Sequence, residues 1–440
     1  MSQTQLLIKD TEVGSIPHDW DVVEINKLGE IITGTTPKTS VPEYYDGAYM
    51  FIAPGDINED KYVKSTQKTL SEEGLNVSRS LPRDTVLVVC IGATIGKVAM
   101  TNTEMSATNQ QINAIISNKD ICADYLYYAL KYRSPHLPAL AGRAAIPIVN
   151  KSSFAKFLIP RPPLAEQRAI AHTLLTIQKA KEARQRELEF ERERKAALMQ
   201  YLFTYGTCNE PSKKTKIGEI PQSWRIVMLG DLCLNGLGII QTGPFGSQLH
   251  ASDYKFAGIP VVNPTHLRFN SIVDDAIPRI SREKADSLSK HYLIEGDILI
   301  SRRGDFSRYS YISQQYSGWF CGTGCLLIRL THPEVDNYFL SILFSTEVIQ
   351  SYLKLNAVGS IMPNLNTRIL QDVPLTLPQI EQQREIAEVL RSCDRKITAL
   401  EQEAAFLDEL FRAMLEELMT GRLSALPLVE EKAIPENCLN

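Results

Sequence analysis

No stretch of this chain reaches the roughly 18 consecutive apolar residues that a membrane-crossing helix needs. Its start, MSQTQLLIKD, has no basic region followed by an apolar core and a small-residue cleavage site. Neither a spanning segment nor an export signal is expected, so the expected location is cytoplasmic. Cysteine is sparse and scattered: of eight residues, only Cys321 and Cys325 lie close together, without a second pair or a clustered His to complete a zinc site. Reduced thiols are expected, as in a cytoplasmic protein. The seven histidines form no cluster. There is no excess of base either: 47 Lys and Arg stand against 51 Asp and Glu, a net charge of -4. That balance does not advertise nucleic acid, but it says nothing about a local basic face.

Enzyme signatures are also missing in complete form. FCGTG at 320–324 matches the glycine loop by which methyltransferases approach S-adenosylmethionine, yet the strand-like CLLIRL follows it where a helix belongs. NPTH at 263–266 lacks the second Pro and the aromatic of an amino-methyltransferase site. IGATIGKV at 91–98 has three residues between its glycines where a phosphate loop has four, and Val98 replaces the magnesium-holding hydroxyl residue. PGDINEDK at 54–61 crowds the acids and lysine of a nuclease into one turn. No catalytic constellation and no metal site are expected in this chain.

What is present is a repeat. VGSIPHDW at 13–20 returns as IGEIPQSW at 217–224, and Gly14, Ile16, Pro17, Trp20, Val23 and Leu28 meet Gly218, Ile220, Pro221, Trp224, Val227 and Leu232 at a shift of 204. Deeper in the chain the shift is 216. IPIVN at 146–150 meets MPNLN at 362–366, and PPLAEQRAIA at 162–171 meets PQIEQQREIA at 378–387. The second copy therefore carries about twelve extra residues between landmarks, as expected of a variable part held by a constant frame. The length suits two to three domains.

After Pro378 apolar residues recur in alternating steps of four and three: Ile386, Leu390, Cys393, Ile397, Leu400, Ala404, Leu407, Phe411, Met414 and Leu418. This is a sustained heptad seam. Shifted back by 216, the register falls on Ile170, Leu174, Ile177, Lys181, Arg184, Leu188, Glu191, Lys195, Leu198 and Leu202, apolar at both ends and charged in the middle. Each segment predicts a helix of about 40 residues, roughly 60 Å long, with Pro before it and Gly206 or Gly421 after it. Two such stripes favour an intramolecular antiparallel pair. The alternative packs each helix on its own domain, and it suits the charged middle of the first helix better. Between these landmarks, short β-branched and aromatic runs punctuated by Gly, Pro, Asn and Asp read as strands and turns.

The doubled x-G-x-I-P-x-x-W opening, the strand ending in a glycine turn (GDILISRRG, and DTVLVVCIGATIGK), the P-x-V-N or P-x-L-N stretch, the P-x-x-E-Q-x-x-I-A helix start and a closing T-x-G together resemble the specificity subunit of a type I restriction-modification enzyme. The resemblance covers almost the whole chain. It implies an α+β chain with two similar target recognition domains separated by two long helices in an antiparallel coiled coil, related by a pseudo-twofold repeat. The expected division is a first recognition domain at 1–157, a helix at 158–206, a linker at 207–216, a second recognition domain at 217–373, a helix at 374–422 and a tail at 423–440. It also implies double-stranded DNA, two methylation subunits and motor-nuclease restriction subunits as partners, the methylation subunits docking on the two long helices whose seam residues would serve both the helix pair and that interface. S-adenosylmethionine, and ATP with magnesium, then belong to those partners, and adenine methylation is their chemistry.

A duplex offers half-sites that one chain matches with two modules at fixed separation. Unlike loops imply unlike halves, hence an asymmetric gapped target whose gap follows helix length. Candidate DNA contacts are polar residues on glycine-rich turns, because Arg, Asn and Gln make bidentate base contacts and Lys neutralises phosphate. In the first domain these are Thr35, Thr36, Lys38, Lys97, Asn109, Gln110, Gln111 and Arg143; in the second, Ser247, Gln248, Arg302, Arg303, Arg308, Tyr309 and Asn364. Asn150 and Asn366 recur in both copies and are as suited to holding the frame as to touching DNA. Two other readings stay open: a coiled-coil scaffold with two protein-binding modules, and a self-sufficient methyltransferase.

Overall fold

The structure, a computed structural model, describes residues 7–142, 146–359 and 363–428. It separates into two units. One takes the described residues of Met1–Glu187 and Leu400–Asn440; the other is Leu188–Ala399. Each unit holds one β-rich domain, the near half of its own long helix and the far half of the other.

The β-rich part of both units follows one plan. In the first, Gly29–Thr33, Ile112–Ser117, Val86–Val89 and Val98–Met100 form an antiparallel sheet in that order. A smaller sheet joins Lys68–Leu70 and Tyr45–Ile52, with Ser106–Thr108 added in parallel. The second unit repeats this with Gly238–Thr242, Cys325–Leu330, Ile298–Ser301 and Tyr309–Tyr311. Its smaller sheet again ends in a parallel pair, Val261 with Phe320.

The run VLVV explains the layering. Successive strand side chains point to opposite faces. Val86 and Val88 enter the core beneath the helices, whereas Leu87 and Val89 enter the core under the small sheet. In the second unit Ile298 and Ile300 face the helices and Leu299 faces away. A strand buried on both faces reads as an unbroken apolar run.

The long helices span Leu164–Tyr205 and Ile380–Met419, 42 and 40 residues. Within the first unit Lys181 pairs with Asp408 and Arg184 Nε sits 2.9 Å from Glu403. Within the second, Glu191 is 3.3 Å from Lys396 and Lys195 pairs with Asp394. Partner numbers fall along one helix as they rise along the other, which is the order of an antiparallel coiled coil. The charged middle of the first helix thus finds its partners on the second. Ile170, Leu174, Leu202, Ile386, Leu390, Leu400, Phe411 and Leu418 are buried, and Leu188, Leu198, Ile397, Leu407 and Met414 are half-buried.

The recurring motifs are the joints of each unit. Trp20 Nε1 donates to Glu166 Oε2 at 3.1 Å, and Trp224 Nε1 donates to Gln382 Oε1 at 2.9 Å. The next residue docks the helix start on the domain. Gln167 Oε1 accepts from the Cys122 amide at 2.8 Å, and Gln383 Oε1 from the Asp336 amide at 2.9 Å. The far end of the other helix closes each joint. Ser424 Oγ donates to Glu166 at 2.9 Å, and Gln382 Nε2 reaches Thr207 Oγ1 at 3.3 Å. Gly206 and Gly421 end their helices, each with φ +66°, a left-handed conformation suited to glycine. A Cβ on Gly421 would strike the Pro17 ring.

Four expected boundaries differ. Leu158–Arg161 and Pro374–Leu377, expected at the starts of the two helices, are strands paired with Asp21–Glu24 and Arg225–Met228. Ser212–Thr215 is a strand paired with Gly218–Pro221, so part of the 207–216 segment belongs to the second unit. Ala425 is fully buried in the first core, so the start of the 423–440 segment is structural. Neither short segment carried enough periodicity for its partner to be legible. Asn150 and Asn366 cap short helices, accepting from the Ser153 amide at 2.8 Å and the Ile369 amide at 2.9 Å. They hold the frame.

Candidate nucleic-acid interface

Four loops converge at one end of the main sheet's strands in each unit, forming a four-loop edge, and the same backbone bonds tie them. In the first unit the Gly34 amide donates to Ile112 O at 3.1 Å, Gly92 to Pro147 O at 3.0 Å, and Val149 to Cys90 O at 2.8 Å. In the second, Gly243 donates to Cys325 O at 2.8 Å, Gly304 to Pro363 O at 3.1 Å, and Leu365 to Arg302 O at 2.8 Å. Loops 34–38, 90–92, 109–111 and 147–149 therefore correspond to 243–248, 302–304, 322–324 and 363–365. Close approach explains the glycines: a Cβ on Gly34 would collide with the carbonyls of Thr108 and Asn109, and one on Gly243 with that of Gly322.

In the first unit the structure brings together most of the predicted residues. Thr36 Oγ1 donates to Gln110 Oε1 at 2.6 Å, and Asn109 Nδ2 donates to Gln111 Oε1 at 3.0 Å. Gln111 Nε2 also lies near Gly92. Thr36, Lys38 and Gln110 are exposed, while Thr35 is half-buried with its hydroxyl unbonded among the described residues. Lys97 stands apart from this group. Its ammonium donates to Ile57 O at 2.7 Å, so it ties the turn to the loop that follows the small sheet's long strand. Arg143 lies outside the described residues.

In the second unit Arg302, Arg303 and Asn364 meet, with Arg303 and Asn364 facing each other across an antiparallel bridge. Arg302 Nε and Asn364 Oδ1 are buried without a hydrogen bond among the described residues. Ser247 is exposed, and Gln248 closes its own turn by accepting from the Phe245 amide at 3.1 Å. Arg308 lies 3.5 Å from Asp305. Hydrogen bonds from Ser307, with help from Arg308, hold the Asp305 carboxyl below the usual carboxylate range.

Tyr309 is a correction. It is 2% exposed and packs edge-on to Phe269 in the core, because it is the first residue of the sheet's last strand and the alternation of that strand turns it toward the helices. It is not available to a ligand.

Sequence reasoning missed Ile91, Ile148 and Phe245. Ile148 is 44% exposed and Phe245 53%, and Ile91 bridges Ile148 as Arg303 bridges Asn364. Single apolar residues on turns carry no signal until their neighbours are known.

The incomplete enzyme motifs resolve as architecture. FCGTG is the crossing from a parallel edge strand into Cys325–Leu330, equivalent to 109–111 in the first unit. In NPTH, His266 Nδ1 accepts from the Asn263 amide at 3.0 Å to close a single turn. Asp56 of PGDINEDK accepts from the Ala53 and Gln67 amides at 2.8 and 3.0 Å. Burial pushes the Cys90 and Cys321 thiols up to about 12, away from reactive thiolate. Among the described residues no three His, Cys, Asp or Glu are grouped to hold a metal, and no helix is long and apolar enough to cross a membrane.

Comparison with known proteins agrees with this doubled plan. The type I restriction modification DNA specificity domain matches twice, at 17–190 and 221–407. The MjaVIII specificity subunit of Methanocaldococcus jannaschii is 24% identical over 419 residues, covering 93% of this chain and 94% of that protein. The HindI specificity subunit of Haemophilus influenzae is 36% identical over 152 residues, a third of each. In fold, the chain is similar to the type I restriction-modification S subunit of M. genitalium, with TM-score 0.61, 17% identity, and coverage of 91% and 96%.

Proposed function

This chain belongs to the type I restriction modification DNA specificity family, carrying the family's domain twice, and on that premise we propose that it reads an asymmetric, two-part DNA site. Each unit reads one half-site through its four-loop edge. One observation carries this reading: the loops share their backbone bonds between units but not their side chains, as readers of unlike half-sites built on one frame would.

The chain directs catalysis by partners rather than performing it. Methylation and motor-nuclease restriction subunits assemble with it, and they hold S-adenosylmethionine and ATP with magnesium. Two methylation subunits are favoured by the helices themselves. Phe190 and Phe406 stand 216 residues apart at equivalent positions, each 68% exposed on a charged helix. An aromatic that exposed is a docking candidate, and the repeat supplies one per helix. The seam residues, packed between the helices, hold the pair instead. The complex works in the cytoplasm.

The test maps methylated adenines in a host carrying this chain with its methylation subunit, before and after residues 217–373 are exchanged for those of a relative. A gapped motif in which one half changes is expected. A motif independent of this chain would overturn the reading. Binding by the assembled complex should also weaken steeply with salt, as phosphate contacts require.

A further inference from the structure

One cross-strand pair occupies the same place in both four-loop edges, with opposite chemistry. In the first unit it is Ile91 opposite Ile148; in the second it is Arg303 opposite Asn364. The flanking bonds are the same: the glycine after the first member donates to the proline before the second, Gly92 to Pro147 and Gly304 to Pro363. Residues directly opposite in an antiparallel bridge project side chains on one face, about 4.5–5.5 Å apart at Cβ. Ile148 is 44% exposed, and Arg303 is exposed too.

We infer that this pair is the base-class selector of each unit, the isoleucines taking an A·T pair and Arg303 with Asn364 taking a G·C pair. The inference rests on the DNA-reading function proposed above. In the major groove guanine offers two acceptors, O6 and N7, and its cytosine offers an amino donor; thymine alone offers a methyl group. The Arg303 guanidinium supplies a rigid fork of donors for guanine. Asn364 Oδ1 has no donor among the described residues, an unmet need that the cytosine amino group would satisfy after rotation of the amide. Neither isoleucine can donate or accept through its side chain. Their surface suits the thymine methyl, and the carboxamides of Gln110 and Gln111 on the adjoining loop suit the paired adenine.

Adenine-methylation mapping in a host carrying the full chain and its methylation subunit tests this with Arg303→Ala, Arg303→Lys and Ile148→Ala. Wild type should show a guanine in the half that follows exchange of residues 217–373. Arg303→Ala should make that one position degenerate, with roughly a 5- to 150-fold loss of discrimination, and leave the other half intact. Ile148→Ala should relax a thymine position in the other half only. An unaltered motif in Arg303→Ala, whether methylation persists or falls evenly at all sites as for a phosphate contact, would overturn the inference. Should that variant fail to assemble, Arg303→Lys decides: guanine preference weakened at one position supports the selector, and an unaltered motif sinks it. A motif that follows the domain exchange but ignores Arg303 rejects only the selector, whereas one that ignores the exchange rejects the DNA-reading function as well.

Discussion

The first unit receives its tryptophan on a carboxylate, and the second receives its own on a carboxamide. Trp20 meets Glu166, which also accepts from Ser424. Trp224 meets Gln382, which turns its amide nitrogen to Thr207. The geometry is one indole donor, one side-chain acceptor on the first turn of the long helix, and one hydroxyl beyond the end of the other helix. What the two units share is therefore a pattern of donors and acceptors, within which residue identity drifts as long as each buried polar atom stays matched. The loop edges follow the same logic further, keeping backbone bonds while side chains change class.

The comparison breaks most visibly at the tryptophans. Trp20→Ala and Trp224→Ala should each cost about 3–5 kcal/mol, read by hydrogen exchange as faster opening of the unit that carries the change. The first should cost more, because Glu166 would stay buried with one donor fewer. Equal losses would mean that the charged acceptor contributes nothing beyond the amide.

Acid should separate the units next. His291 of the second unit is 2% exposed, neither ring nitrogen has a partner among the described residues, and burial pushes its pKa down to about 4. The folded chain holds it neutral, whereas the unfolded chain protonates near the ordinary value of about 6.5. Its contribution is whole above that value and is lost as pH falls toward 4, about 3 kcal/mol in all. Exchange measured from pH 7 to 4 should show the second unit loosening first, and His291→Phe should remove that dependence.

The seam gives finer contrasts. Lys195 is 11% exposed, pairs with Asp394 and lies 4.2 Å over the Phe269 ring. Lys195→Met should cost about 1–3 kcal/mol, by leaving Asp394 with the Tyr338 hydroxyl as its remaining partner among the described residues. Arg184 and Glu403 are about half exposed, so Arg184→Gln should cost about 0.2–1 kcal/mol and lose even that in high salt. Denaturant titration of the two variants in parallel checks both.

Much of this was legible without coordinates. The apolar seam over 386–418 runs along one helix face, and each recurrence is set by local geometry alone. The charged positions Lys181, Arg184, Glu191 and Lys195 announced a need for partners. Their identity came only with the antiparallel register, which matches residues about 200 or more positions apart. Thr36, Gln110, Arg303 and Asn364 were singled out one by one, but nothing in the chain's order says that Thr36 touches Gln110 or that Arg303 faces Asn364. Tyr309 was misjudged, and Lys97 stands apart from the other candidates, because a turn residue's surroundings depend on what packs beside it. For Lys97 that neighbour is the Ile57 carbonyl, and for Tyr309 it is Phe269.

By itself, then, the amino-acid order determined the repeat, the two long helices and the recurring motifs at Pro-x-x-Trp and Glu-Gln or Gln-Gln, though not that these motifs meet as joints. Those signals are periodic or duplicated, and periodicity survives without knowledge of contacts. Tertiary structure decided that each unit borrows the far half of the other copy's helix. It also decided that FCGTG is the counterpart of Asn109–Gln111, and that Ile91 and Ile148 stand where Arg303 and Asn364 stand. Such correspondences rest on hydrogen bonds between distant loops, and the unequal insertions between the copies, a shift of 212 at the 90–92 loop and 216 at the 147–149 loop, hide them from any single alignment of the chain on itself.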